Sequence, residues 1–135
     1  MEKIHSKITG ELLHVICRKE EISLRREEFG DSEQVLQVAT IVLKEGEGVP
    51  PHKHLINKRN TDKTQEFVSV IVGEIIVEFY DVNNSLIIKT TLKEGDSYSS
   101  YGGGHGLIAS EEGTKLYEIK NGPYNGKEKD KTNLF

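Results

Sequence analysis

The sequence predicts an all-β fold, a small sandwich or barrel of short antiparallel strands. Three observations point there. From residue 35 onward, short β-branched runs alternate with Gly, Asn and Asp turns about every 8–12 residues. No segment keeps the 3.6-residue apolar period of a long amphipathic helix. The 135 residues, 35% hydrophobic and 30% charged, suit one folded domain with a single core.

The elements follow in chain order. Residues 10–18 read as a strand, with Leu12, His14 and Ile16 on one face and Leu13, Val15 and Cys17 on the other. Residues 23–29 are the best helical candidate, charged nearly throughout and short enough to be a single turn or a loop. Residues 35–43 form the first strong strand, ended by Glu45-Gly46-Glu47-Gly48. Residues 67–72 form the next, broken at Gly73, and residues 75–80 resume after it. Asp81-Val82-Asn83-Asn84 is a hairpin turn, because Asn and Asp tolerate left-handed backbone and bond their own main chain. Residues 86–92 return antiparallel to the turn Lys93-Glu94-Gly95-Asp96, followed by a weak strand to Ser100. Residues 105–109 and 115–119 close the series. There is no repeat and no linker, so residues 1–135 form one domain, with a barrel core at about 35–120 and a Gly-, Asn- and Lys-rich tail at 121–135 outside it.

Composition excludes several classes. The net charge is −4, from 18 Lys and Arg against 22 Asp and Glu, and no basic stretch is interleaved with aromatics, so a nucleic-acid partner is not expected. No apolar stretch is long enough to cross a bilayer, and Met1-Glu2-Lys3-Ile4-His5-Ser6 lacks a signal-peptide core. The single cysteine, Cys17, allows no intrachain disulfide and reads as a small buried hydrophobe. The expected location is cytoplasmic.

The chemistry-bearing residues are His52, His54, Glu66 and His105. On a strand, residues i and i+2 point the same way, so His52 and His54 would present two imidazoles on one face, after Pro50-Pro51. Glu66 opens an apolar strand, where an unpaired inward carboxylate is costly and a cation would relieve it. His105 follows Gly102-Gly103-Gly104, a turn that can bring it close to other strands. Three imidazoles and a carboxylate make a common ligand set for a divalent transition metal. The bland alternative for His52-Lys53-His54 is a solvated, lysine-rich loop.

The order of these residues resembles the motifs of the cupin superfamily. Gly46, His52, His54, Glu66 and Gly73 match its first motif, with five residues between Gly46 and His52 and six between Glu66 and Gly73. Gly95-Asp96 and His105 match the ends of the second. Arg59, Thr64-Gln65-Glu66, Gly103-Gly104-His105-Gly106, Gly122-Pro123-Tyr124-Asn125-Gly126 and Asp130-Lys131 are similar to small single-domain bacterial cupins found with surface-polysaccharide and nucleotide-sugar genes. The resemblance implies a double-stranded β-helix, a jelly-roll-like barrel, with His52, His54, Glu66 and His105 as ligands of Fe, Mn, Ni, Co, Zn or Cu.

The expected function is a metal-binding cupin that acts on, or senses, a carbohydrate-like or anionic small molecule. As an enzyme it would be an isomerase, an epimerase or a metal-dependent dioxygenase of carbohydrate metabolism. Two alternatives stay open: a metal-free sugar-nucleotide isomerase or epimerase using His52 and His54 as acid and base, or a non-enzymatic binding or regulatory module. Lys53, Lys58, Arg59 and Lys63 in the insert between His54 and Glu66 form either a solvated loop or a lid that holds an anion, with Arg59 the expected substrate-binding member. Tyr98 and Tyr101 line the core or the mouth, and Tyr101 is a candidate hydroxyl acid or base. His5 and His14 read as structural or exposed. Exposed strand edges and the resemblance imply a homodimer, with contact at residues 11–17.

Overall fold

Period-two alternation of burial is plainest over residues 74–80 of the computed structural model, which describes residues 1–135. The ten strands are β1 (Glu2–His5), β2 (Leu12–Cys17), β3 (Arg26–Glu28), β4 (Ala39–Ile41), β5 (Glu66–Val72), β6 (Glu74–Tyr80), β7 (Leu86–Lys93), β8 (Ser97–Ser100), β9 (Gly104–Ala109) and β10 (Lys115–Lys120). Every pairing is antiparallel. A five-stranded sheet has the order β1-β2-β8-β5-β10, a three-stranded sheet the order β7-β6-β9, and β3 and β4 form a separate pair.

The two larger sheets share one core. Ile16, Val68, Val70 and Tyr98 from the first pack with Ile75, Val77, Phe79 and Leu92 from the second, all buried. Gly73 makes the corner between β5 and β6. Its φ of +83° suits glycine, and a Cβ there would meet Thr114 Oγ1 at 2.6 Å. The corner sends β6 into the facing sheet, so the hydrogen-bonded ladders stay separate and do not close into a barrel. The outer face of the five-stranded sheet is also covered: Val15, Cys17 and Tyr101 bury against Phe29, with Ile22 and Val38 at their margin.

The all-β reading holds, and several local expectations change. Residues 23–29 hold no helix; Arg26–Glu28 is a short strand, because pairing with β4 outweighs local preference. The strand expected at 35–43 shrinks to Ala39–Ile41, since the only ladder offered to it is the three-residue β3. Its earlier part is tied by side chains instead: Gln65 Oε1 accepts from Leu36 N–H at 2.9 Å, and Gln65 Nε2 donates to Gln34 Oε1 at 2.8 Å. The segment expected to make a dimer contact, residues 11–17, offers no free strand edge. β2 lies between β1 and β8 with Leu13 to Cys17 buried, and the unpaired edges of the two larger sheets belong to β1, β7, β9 and β10. No helix is long and apolar enough to cross a membrane.

A candidate acid–base cleft between the sheets

Cross-strand register builds the site. His14 on β2 pairs with Ser100 on β8, Ser100 with Glu66 on β5, and Glu66 with Lys120 on β10. These residues form one row across the five-stranded sheet. The next row along, Ile16, Tyr98 and Val68, belongs to the apolar core. The polar row thus sits at the end of the core, where the sheets begin to part. From the facing sheet β9 brings His105, paired with Phe79 on β6.

The side chains connect. His105 Nε2 lies 3.2 Å from Glu66 Oε1, and His105 Nδ1 lies 3.1 Å from Ser100 Oγ. Ser100 Oγ is 2.7 Å from His14 Nδ1, and His14 Nε2 is 3.4 Å from the Tyr80 main-chain oxygen. Burial pushes the His14 imidazole down to about 4, so this ring is neutral near pH 7. Burial works to raise the Glu66 carboxyl, but the hydrogen bond and charge of His105, with Lys120 nearby, outweigh it and hold Glu66 below the usual carboxylate range. A proton must stand between Nε2 and Oε1, and the lowered Glu66 puts it on the imidazole. The pair can therefore give or take one proton at the cleft surface.

The cleft above the pair has a volume of about 770 Å³. Its hydrogen-bonding groups include Glu66, Glu118 and Asp130 carboxylates and Thr64, Ser100 and Thr132 hydroxyls. Lys131 is its cationic member. Lys120 is held by Asp130 at 3.2 Å and Glu118 at 3.7 Å, and the Asp130 hydrogen bond raises its pKa. Residues 121–135, expected outside the core, fold back along this cleft. A short helix, Lys127–Asp130, brings in Asp130, Leu134 packs over Gly104, and the Phe135 ring lies 5.9 Å from Tyr80.

Of the four expected metal ligands, the structure brings together Glu66 and His105 and leaves His52 and His54 apart. His52 and His54 are not on a strand. Residues 41–64 are exposed throughout, and those after Ile41 form no strand; Pro50 and Pro51 offer no N–H to a ladder. The two rings stack edge to face at 5.2 Å, and His52 Nδ1 lies 3.0 Å from the Pro50 carbonyl oxygen. No group of three or more His, Cys, Asp or Glu side chains converges on one point, so this arrangement does not gather the four residues into one ligand set. Arg59 is exposed on the same segment and does not line the cleft. Tyr101 is buried beside a smaller cavity of about 460 Å³, its hydroxyl without a hydrogen-bond partner, and burial raises its pKa. Tyr98 is core, with its hydroxyl pushed up by burial as well. Neither tyrosine is a base near neutrality.

Sequence reasoning missed Ser100, Glu118 and Asp130, and it left His14 without a role. The alternation of β2 places His14 on the same face as Ile16, and that of β8 places Ser100 with Tyr98, so both were legible as inward once the strands were paired. Nothing in the sequence places Asp130 beside Lys120. No protein-family model, curated protein or solved structure matches the chain.

Proposed function

We propose that this domain holds a small, uncharged polyhydroxy molecule in the cleft and that Glu66 and His105 pass a proton to or from it. The contact between His105 Nε2 and Glu66 Oε1, at the base of a cleft rich in hydroxyl and carboxylate groups, carries the reading. Carboxylates accept from sugar hydroxyls, while Thr and Ser hydroxyls both give and accept. Three carboxylates against Lys131, with Lys120 already paired, make a poor phosphate site, so the carbohydrate-like class is favoured over the anionic one. A pair that moves one proton suits isomerisation or epimerisation at a carbon beside a carbonyl, where a positioned acid–base group is worth about 10²–10⁴-fold in rate.

We also propose that the finer architecture is the double-stranded β-helix of the cupin superfamily. The order Gly46, His52, His54, Glu66, Gly73, Gly95-Asp96, His105 and the two facing antiparallel sheets support it.

A panel of free sugars, sugar phosphates and nucleotide sugars tests the reading by thermal shift, followed by incubation of binders in D2O. Free sugars should stabilise the protein more than their phosphates and gain deuterium on carbon. E66Q and H105N should abolish the exchange. Tighter binding of phosphates, or exchange that survives both substitutions, would overturn the reading.

A second reading, a divalent transition metal held by His52, His54, Glu66 and His105, draws on one observation. Thr64, at the end of the exposed segment that carries both histidines, lines the cleft that holds Glu66 and His105. It requires that segment to fold onto the cleft. Metal analysis of protein purified without a histidine tag decides it: less than about a tenth of an equivalent, or content unchanged in H52A and H105A, dismisses it.

A further inference from the structure

The row that carries Glu66 runs inward to a buried imidazole that the acid–base pair does not itself use. His14 is fully buried and Ser100 nearly so, and the His14 ring is packed 4.5 Å from that of Phe79. The Tyr80 carbonyl oxygen can only accept, so His14 Nε2, 3.4 Å away, carries the ring hydrogen. This assignment follows from the hydrogen-bond network. A neutral His14 then has a bare Nδ1, and Ser100 Oγ at 2.7 Å donates its single hydrogen there. With that hydrogen committed, Ser100 can only accept from His105, whose Nδ1 lies 3.1 Å away. The direction of each bond follows from the one before it.

We propose that His14 and Ser100 are positioning residues for His105: the chain from the Tyr80 carbonyl through His14 and Ser100 holds a hydrogen on His105 Nδ1, so that the ring exchanges its proton with the ligand through Nε2, beside Glu66. The inference rests on the acid–base reading of the cleft and names what orients its imidazole. Each member is fixed by different strands: His14 by β2, Ser100 by β8, Tyr80 by β6 and His105 by β9. The chain therefore ties the two sheets together at the site. Gly103 covers its buried end, because a Cβ at that position would lie 2.3 Å from the Tyr80 oxygen and 3.3 Å from His14 Nε2. Without the Ser100 hydroxyl, the Nδ1–H of His105 would lose the acceptor the chain gives it. The ring would then keep only its hydrogen on Nε2, toward Glu66.

Long-range proton–nitrogen spectra of protein labelled with ¹⁵N in its histidine rings test this without any ligand. In the wild type, His14 should show hydrogen on Nε2 and a bare Nδ1, and His105 should show hydrogen on Nδ1. In S100A, His105 Nδ1 should turn bare, and S100T, which keeps the hydroxyl, should restore it. Hydrogen on His14 Nδ1 in the wild type, or a His105 ring unchanged in S100A, overturns the proposal. If S100A fails to fold by circular dichroism, the wild-type tautomers alone decide. If sugars fail to bind while the tautomers appear as stated, the proposed function falls and the positioning chain stands. If sugars bind and exchange while His105 ignores the loss of Ser100, the positioning chain falls alone.

Discussion

Replacing Gly103 by alanine attacks the closest backbone approach in the site, and the structure sets its cost. Gly103 has φ +67°, and an added Cβ would lie 2.3 Å from the Tyr80 oxygen and 3.2 Å from Leu13 Cδ1. Holding an L residue in left-handed backbone costs about 1–2 kcal/mol. Forcing a main-chain carbonyl and a packed leucine apart adds about 1–3 kcal/mol. G103A should therefore lose about 2–5 kcal/mol. The two neighbouring glycines are internal controls. At Gly102 a Cβ would touch only Leu13 Cδ2, at 3.4 Å, an ordinary contact, so G102A should lose less than about 1 kcal/mol. At Gly104 the nearest atoms are the δ carbons of Leu134, at 2.6 and 3.3 Å, the end of a flexible side chain. G104A should displace Leu134 and cost the fold little. Urea unfolding followed by far-ultraviolet circular dichroism measures all three, as midpoint differences at a common slope. A G103A midpoint within about 1 kcal/mol of wild type, or a G102A loss as large as that of G103A, would refute the close-approach argument.

Four further outcomes are expected. His14 takes up a proton at about 4 when folded and near 6.5 when unfolded, so between those values the unfolded chain binds more protons. Stability should therefore fall by about 3 kcal/mol as pH drops from 6.5 to 4, and urea midpoints for H14Q should lose most of that slope. Asp81 and Asp96 are both held below the ordinary range, Asp81 by the Ser6 hydroxyl and the Val82 and Lys7 amides, Asp96 against its burial by the Lys93 and Lys19 amides and Arg18. Their contribution is present above the unfolded carboxylate pKa and lost as pH falls through the folded one; a thermal midpoint that stays level from pH 5 to pH 2 would contradict this. Y101F removes a buried hydroxyl that has no partner and should change stability by less than about 1 kcal/mol, with sugar-driven deuterium exchange intact; lost exchange would return Tyr101 to the catalytic candidates. H52A and H54A sit on exposed backbone and should shift the unfolding free energy by no more than about 0.5 kcal/mol, as read by the same urea titration.

Alternation and turn chemistry determined much of this protein without reference to its tertiary structure. The strands from β5 to β10 and the turn at Asp81-Val82-Asn83-Asn84, with Asn84 at φ 66°, follow from β-branched runs and from residues that tolerate left-handed backbone. Those signals are local, so the sequence carries them openly. Glu66 and His105 were legible as candidates for the same reason, each at the start of a strand whose face the alternation sets. Their meeting was not: it depends on Gly73 turning β6 into the facing sheet and so placing β9 opposite β5. His52 and His54 show the converse. Their i,i+2 spacing points both rings one way only on a strand, and no strand pairs with residues 42–65 here to make them one. Pairing partners, sheet corners and the return of residues 121–135 are long-range choices, made by burial of the shared core rather than by neighbours in sequence. That is why Ser100, His14 and Asp130 entered the site only with the tertiary structure.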